Sequence, residues 1–188
     1  MTARPLAPRP ARSAVIPGHL IGRFLVIAVE VMFFAALVSA YLVARGEAVV
    51  WPPVGQPRLP VARTAINTVV LLLSGWLAWR ALIAKDDDPP LGARLLGWAA
   101  AGGALFLGLQ GYEWLRLIDF GLRSDTSLYG AFFYLIVGAH AAHVLAGIVA
   151  IGVVSRWGRR SEPVAGAAVF WLFVVALWPA LYWLVYLR

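Results

Sequence analysis

Five apolar runs, at roughly 20–44, 63–83, 91–117, 128–154 and 164–187, are each long enough to cross a bilayer core, which takes about 20 residues of α-helix. Nothing else in the sequence limits the fold so strongly. Inside hydrocarbon every backbone N–H and C=O must find a partner, and a single run of this length manages that as a helix. The expected fold is all-α: an integral membrane bundle of five transmembrane helices, with residues 1–18 a flexible cytoplasmic tail and 19–188 a single domain. The composition agrees, since 62% of the residues are hydrophobic against about 45–50% in a soluble domain.

The breaks between runs are chemically explicit. WPPVGQPRLP (51–60) carries four prolines and cannot continue a helix. KDDDPP (85–90) is charged and then stopped by proline; its acids Asp86, Asp87 and Asp88 read as a solvated loop or as a cation- or proton-collecting surface. RSDTS (123–127) offers turn and N-cap residues ahead of the fourth run. SRWGRRSEP (155–163) is a basic loop. No internal repeat is visible, which disfavours a transporter built from inverted halves.

The net charge of +7 suggests nucleic acid until the charges are located. They flank the apolar runs, as topology-setting charges do, so no nucleic-acid partner is expected. With the N-terminus inside, Arg4, Arg9, Arg12, Arg23, Arg80, Lys85, Arg94, Arg156, Arg159 and Arg160 are cytoplasmic, which is ten of the 16 basic residues, against six outside. The N-terminus is therefore expected in the cytoplasm and the C-terminus in the periplasm. Trp51 then belongs at the outer interface. The absence of cysteine excludes disulfides, thiolate catalysis, covalent haem attachment and iron–sulfur ligation by this chain.

The polar residues inside the runs are the candidates for function. Glu30 lies in the middle of the first run. A carboxyl there must pair, face water or hold a proton, so it either exchanges protons, binds a partner or ties helices together. Glu113 lies towards the end of the third run, with Gln110 on the same helical face. His140 and His143 lie about 60° apart on the fourth helix. One iron cannot take both as opposite axial ligands. The third histidine, His19, precedes the first run, and a zinc site needs a fuller set of ligands. Interhelical hydrogen bonds, from His140 or His143 to Glu113 or Glu30, are expected instead. Asn67, Thr68 and Ser74 read as further interhelical contacts, and Gly138, Ala142, Ala146 and Ala150 as a ridge that a second backbone can approach. A haem- or metal-binding membrane enzyme and a small transporter gated by Glu30 remain as other classes.

Several of these stretches also resemble subunit III of the haem-copper oxidases in its five-helix form. IGRFLVIAVEVMFFAALVSAYL resembles the family's first helix here, with Glu30 in place of its membrane carboxyl. WPPVGQPRLP and NTVVLLLSG resemble the following loop and second helix. GLQGYEWLRLIDFGLRSDTSLYGAFFYLIVGAHAAHVLAGI resembles the family's Q-x-x-E-[YW], Y-G-x-x-F-F and G-x-H-x-x-H-V series. Gln110, Glu113, Tyr129, Gly130, Phe132, Phe133, His140, His143 and Val144 fall on that pattern. Two places depart from it: FWLFVVALW has Leu172 and Val175 where the family commonly carries His and Asp, and Arg23 stands at a usually apolar place.

The resemblance implies a non-catalytic, multi-pass subunit of a respiratory complex in the bacterial inner membrane, with no cofactor or metal of its own. It implies haems and copper in partner subunits, packing on subunit I with subunit II in the same complex, and phospholipids bound between helices. It implies support for proton supply and for lasting activity during turnover, in a complex that oxidises cytochrome c or, alternatively, quinol, or reduces nitric oxide.

Overall fold

The computed structural model describes residues 18–157 and 161–188. Helix follows helix: α1 (Gly18–Glu47), α2 (Val61–Ala84), α3 (Pro89–Asp119), α4 (Leu128–Trp157) and α5 (Ser161–Tyr182), the last running into a π-helical turn at Trp183–Leu187. All five are long and apolar enough to span a membrane, and no strand occurs among the described residues. Most of the expected tail (1–17) and part of the basic loop (158–160) lie outside the described residues.

The helix ends follow from local chemistry. Asp88 starts α3 by accepting a hydrogen bond from Leu91 N at 3.0 Å, while Pro89 and Pro90 occupy the first turn, where their missing N–H costs nothing. One residue of the acidic triplet is thus a cap, and Asp86 pairs with Lys85. The other end of α3 closes through Gly121 at φ +91°, with Leu122 N donating to Leu117 O and Gly121 N to Ile118 O. This is a Schellman closure, which favours glycine at the left-handed residue. Ser127, in the stretch expected to cap α4, accepts from Gly130 N at 3.0 Å. Gly130 itself lets the Arg123 carbonyl pass where a Cβ would lie only 2.1 Å from that oxygen.

α2 and α3 form the most extensive pair, and α5 packs on both α2 and α4. Tryptophan and glycine set these distances. Trp171 of α5 is fully buried, and its ring presses on Gly103 of α3 and Gly147 of α4, where a Cβ would come within 2.1 Å and 2.7 Å of it. Its Nε1 donates to Ser74 Oγ at 2.8 Å, and Ser74 donates to Ala99 O at 2.9 Å. About two turns further on, Trp178 donates to Thr68 Oγ1 at 2.8 Å. Val175, at one of the two places where the family pattern has a polar residue, packs against Gly75.

The structure corrects one expectation. Ala142 and Ala146, the middle of the small-residue ridge on α4, are exposed, and no helix of the described chain covers them. The glycine that receives a close neighbour is Gly147, on the histidine side of the helix. Trp51 packs edge-on against Tyr41 at 5.6 Å and Tyr129 at 5.3 Å, after a cis Trp51–Pro52 bond.

Gly103→Ala should destabilise the bundle by about 1–3 kcal/mol, because Trp171 is held from both sides and cannot yield. Gly108→Ala, with open space around its Cβ position, should be neutral or slightly stabilising. Unfolding of the two variants in mixed micelles, followed by tryptophan fluorescence, checks the contrast.

Candidate functional site

α1 is the outermost helix: 11% of its apolar stretch is buried in the bundle, against 44% for α5. It meets its neighbours along one seam in which Arg23, Ile27, Glu30, Phe34, Leu37, Tyr41 and Ala44 recur at alternating spacings of four and three, the spacing that keeps a stripe facing a partner helix. Glu30 falls on this seam, and His143 of α4 meets it. His143 Nε2 and Glu30 Oε2 are 2.7 Å apart, and His143 Nδ1 lies 2.7 Å from Ala139 O.

That geometry fixes the chemistry of the pair. A carbonyl oxygen only accepts, so Nδ1 carries a proton and donates it to Ala139. One further proton lies between Nε2 and Oε2. It sits on the carboxyl, facing a neutral imidazole, or on the imidazole, facing a carboxylate. Either way the pair carries no net charge, which is the condition for holding two ionisable groups in hydrocarbon at tolerable cost. Phe34 covers the imidazole edge-on at 5.0 Å, and Phe33 lies at 5.8 Å. The pair is half-buried, with 18% and 24% of its side chains exposed, and it links the least embedded helix to the rest.

His140 behaves differently. It is fully buried, stacked on Trp178 at 4.8 Å and met by the edge of Phe106 at 5.9 Å, and neither ring nitrogen has a hydrogen-bond partner. The expected bond to Glu113 or Glu30 is therefore absent for this residue. The angular offset between the two histidines explains why: it turns His140 away from α1, into the wall that α3 and α5 build from aromatic rings.

Glu113 is also paired otherwise than expected. Its Oε1 lies 3.2 Å from Arg63 Nη1 at the start of α2 and 3.9 Å from Arg116 Nη1 one turn along α3. Gln110 lines the same mouth but bonds inward. Its amide donates to Tyr186 OH at 2.9 Å, and its carbonyl accepts from Asn67 Nδ2 at 3.2 Å. Asn67 also donates to Phe106 O at 3.2 Å. Of Glu30, Gln110, Glu113, His140 and His143, only Glu30 and His143 are thus bonded to each other, and the other three have separate surroundings. Tyr186, Trp171 and Trp178 were not singled out in the sequence. The available signal is that buried indole N–H and phenol O–H groups need partners, and Thr68, Ser74 and Gln110 provide them.

The described residues contain no group of three His, Cys, Asp or Glu that could hold a metal ion. What the fold and these contacts define is a multi-pass helical membrane protein whose intramembrane polar residues are largely spent on joining one helix to another. The model of the cytochrome c oxidase subunit III family matches residues 10–188. Similar proteins include cytochrome c oxidase subunit 3 of Thermostichus vulcanus, 35% identical over 90% of this chain and 87% of the relative. That of Synechocystis sp. is 32% identical over 90% of this chain and 75% of the relative. That of Corynebacterium diphtheriae is 31% identical over 88% and 86%. The chain belongs to the cytochrome c oxidase subunit III family, the non-catalytic subunit of haem-copper oxidases, and so to respiratory electron transport.

His143→Leu should strip Glu30 of its partner and weaken α1 docking by about 0.6–1.7 kcal/mol, the range found for membrane hydrogen bonds. Adding Glu30→Leu should restore part of the loss, because the uncompensated carboxyl is then gone. A double-mutant cycle on unfolding in micelles checks this; additive losses would mean that the two side chains do not interact.

Proposed function

We propose that this chain is subunit III of a haem-copper terminal oxidase in a bacterial plasma membrane, with its N-terminus cytoplasmic and its C-terminus periplasmic. It packs on subunit I, in a complex that also contains subunit II, and the haems and copper sit in those partners. The complex reduces oxygen to water and translocates protons, with cytochrome c as electron donor, in keeping with the names of the relatives. The contribution of this chain is passive. Glu30, Gln110, Glu113, His140 and His143 set helix spacing, the spacing shapes lipid-filled grooves, and the assembly sustains proton supply and turnover.

The observation that carries this reading is the Glu30–His143 tie. It bonds Glu30, which stands at the family pattern's membrane carboxyl, to a neighbouring helix of the same chain, and so supports its reading as a strut. Two grooves support the lipid part. One, about 390 Å³, lies among α1, α4 and α5 beside Arg23, Val26, Ala150 and Phe170. The other, about 400 Å³, lies between α1 and α5 along Phe34, Val38, Leu181 and Trp183, and ends at Arg188. Each is apolar along its length with an arginine at its margin, the pattern of an acyl chain and a phosphate.

Tagged chain isolated in mild detergent should bring down a haem-containing polypeptide. His143→Leu in that complex should leave the visible haem spectrum and the initial rate of oxygen consumption unchanged, and shorten the number of turnovers before inactivation. A lost haem band in the variant, or a chain recovered with no larger subunit, overturns the proposal.

A further inference from the structure

The loop between α1 and α2 carries groups that neither helix joining nor the lipid grooves employ. α1 ends at Glu47 and α2 begins at Val61, so residues 48–60 lie outside both spans. Trp51 anchors the loop between Tyr41 and Tyr129. Beyond the anchor the chain turns, with Gln56 N donating to Pro53 O at 3.2 Å and Gly55 at φ +88°, as at the third residue of a type II turn. Val49 and Val54 are almost wholly exposed. They make an apolar tip on a segment that has left the hydrocarbon.

At the base of this loop lies a pocket of about 250 Å³, bordered by Tyr41, Trp51, Arg58, Leu59, Tyr129 and Tyr186 among others. Tyr41 and Tyr129 are 2% and 6% exposed, yet neither hydroxyl has a hydrogen-bond partner among the described residues. Exposed Arg58 likewise has no hydrogen bond or ion pair there. The neighbouring polar groups are spent: Tyr186 OH accepts from Gln110, and Arg45 donates to Arg188 O. No Asp or Glu lines the pocket. A buried phenol O–H calls for an acceptor, and a guanidinium pairs best with a planar oxyanion. Two phenols and one guanidinium therefore suit a carboxylate, whose two oxygens accept up to about four hydrogen bonds. The apolar tip points to its source. A free small acid would fill the pocket and leave Val49 and Val54 bare, whereas an acidic side chain with apolar neighbours in its own chain covers both.

We infer that this loop docks an extramembrane segment of a second polypeptide in the oxidase complex. That segment seats an Asp or Glu carboxylate against Arg58, Tyr41 and Tyr129 and lays apolar side chains on Val49 and Val54. The inference rests on the proposed function for the presence of the second polypeptide. It concerns the end of the bundle, apart from the faces of the helices that lie in lipid.

The chain has one lysine, Lys85, at the other end of α2. Arg58→Lys keeps the charge at the loop and adds an amine there. A water-soluble carbodiimide joins such an amine to a carboxylate in contact with it: the amide C–N bond forms, and one carboxyl oxygen leaves on the reagent as a urea. Complex isolated in mild detergent through a tag on this chain is treated, digested and read by mass spectrometry. The Arg58→Lys complex should give an amide from position 58 to an Asp or Glu of another oxidase polypeptide, in a segment with apolar neighbours. Adding Tyr41→Phe and Tyr129→Phe should lower its yield about tenfold, as for loss of a charge-assisted hydrogen bond. An amide to Glu47 of the same chain, to a lipid carboxylate or to nothing overturns the inference, and so does a yield that the Phe substitutions leave unchanged. Haem isolated with the chain is measured first. Its absence refutes the oxidase assignment and this contact with it, whereas haem without the amide refutes the docking alone.

Discussion

Trp171 is the constraint around which the bundle is arranged. Its ring fills the space that Gly103 and Gly147 leave open, and its N–H reaches Ser74 on a third helix. One side chain therefore sets the distance from α5 to α2, α3 and α4 at once. In a bilayer the hydrophobic effect does not hold helices together, because lipid tails are as apolar as leucine. Close packing and polar contacts must do so, and Trp171 supplies both. Trp178 repeats the arrangement with Thr68 on one side and the His140 ring on the other.

α1 has no equivalent. It docks along one narrow seam, and within that seam Phe34 and Tyr41 are the two buried residues. The Glu30–His143 bond is its polar attachment near the middle of the membrane. The grooves beside the two halves of α1 follow from this slender docking, since a helix that touches its neighbours along one stripe leaves open space beside it. The contact that joins α1 to α4 and the spaces that suit lipid share one cause.

Much of this was legible in the sequence, for identifiable reasons. Run length set the number of helices, because hydrocarbon leaves the backbone no other choice. Ser127 was readable as a helix start because capping is a local property, whereas Asp88, read as part of a charged loop, proved to be a cap as well. Glu30 and a histidine as partners followed from the cost of leaving either alone in lipid. The partners of His140 and Glu113 were not readable. Whether a side chain meets a ring or a guanidinium depends on which helix stands opposite and at what depth, and periodicity carries neither. The alanine ridge misled for the same reason: small residues permit an approach, and only the surrounding helices decide whether one is made.

The neutrality of the Glu30–His143 pair also decides how the helix responds to the membrane voltage. Moving one elementary charge through the full potential involves about 2.3 kcal/mol per 100 mV, more than a typical membrane hydrogen bond provides. A lone carboxylate at this depth would make α1 an electrical lever, pushed or pulled as respiration charges the membrane. Joined through a shared proton, the two give the field no net charge to act on. The helix then keeps its seat whether the membrane is energised or at rest.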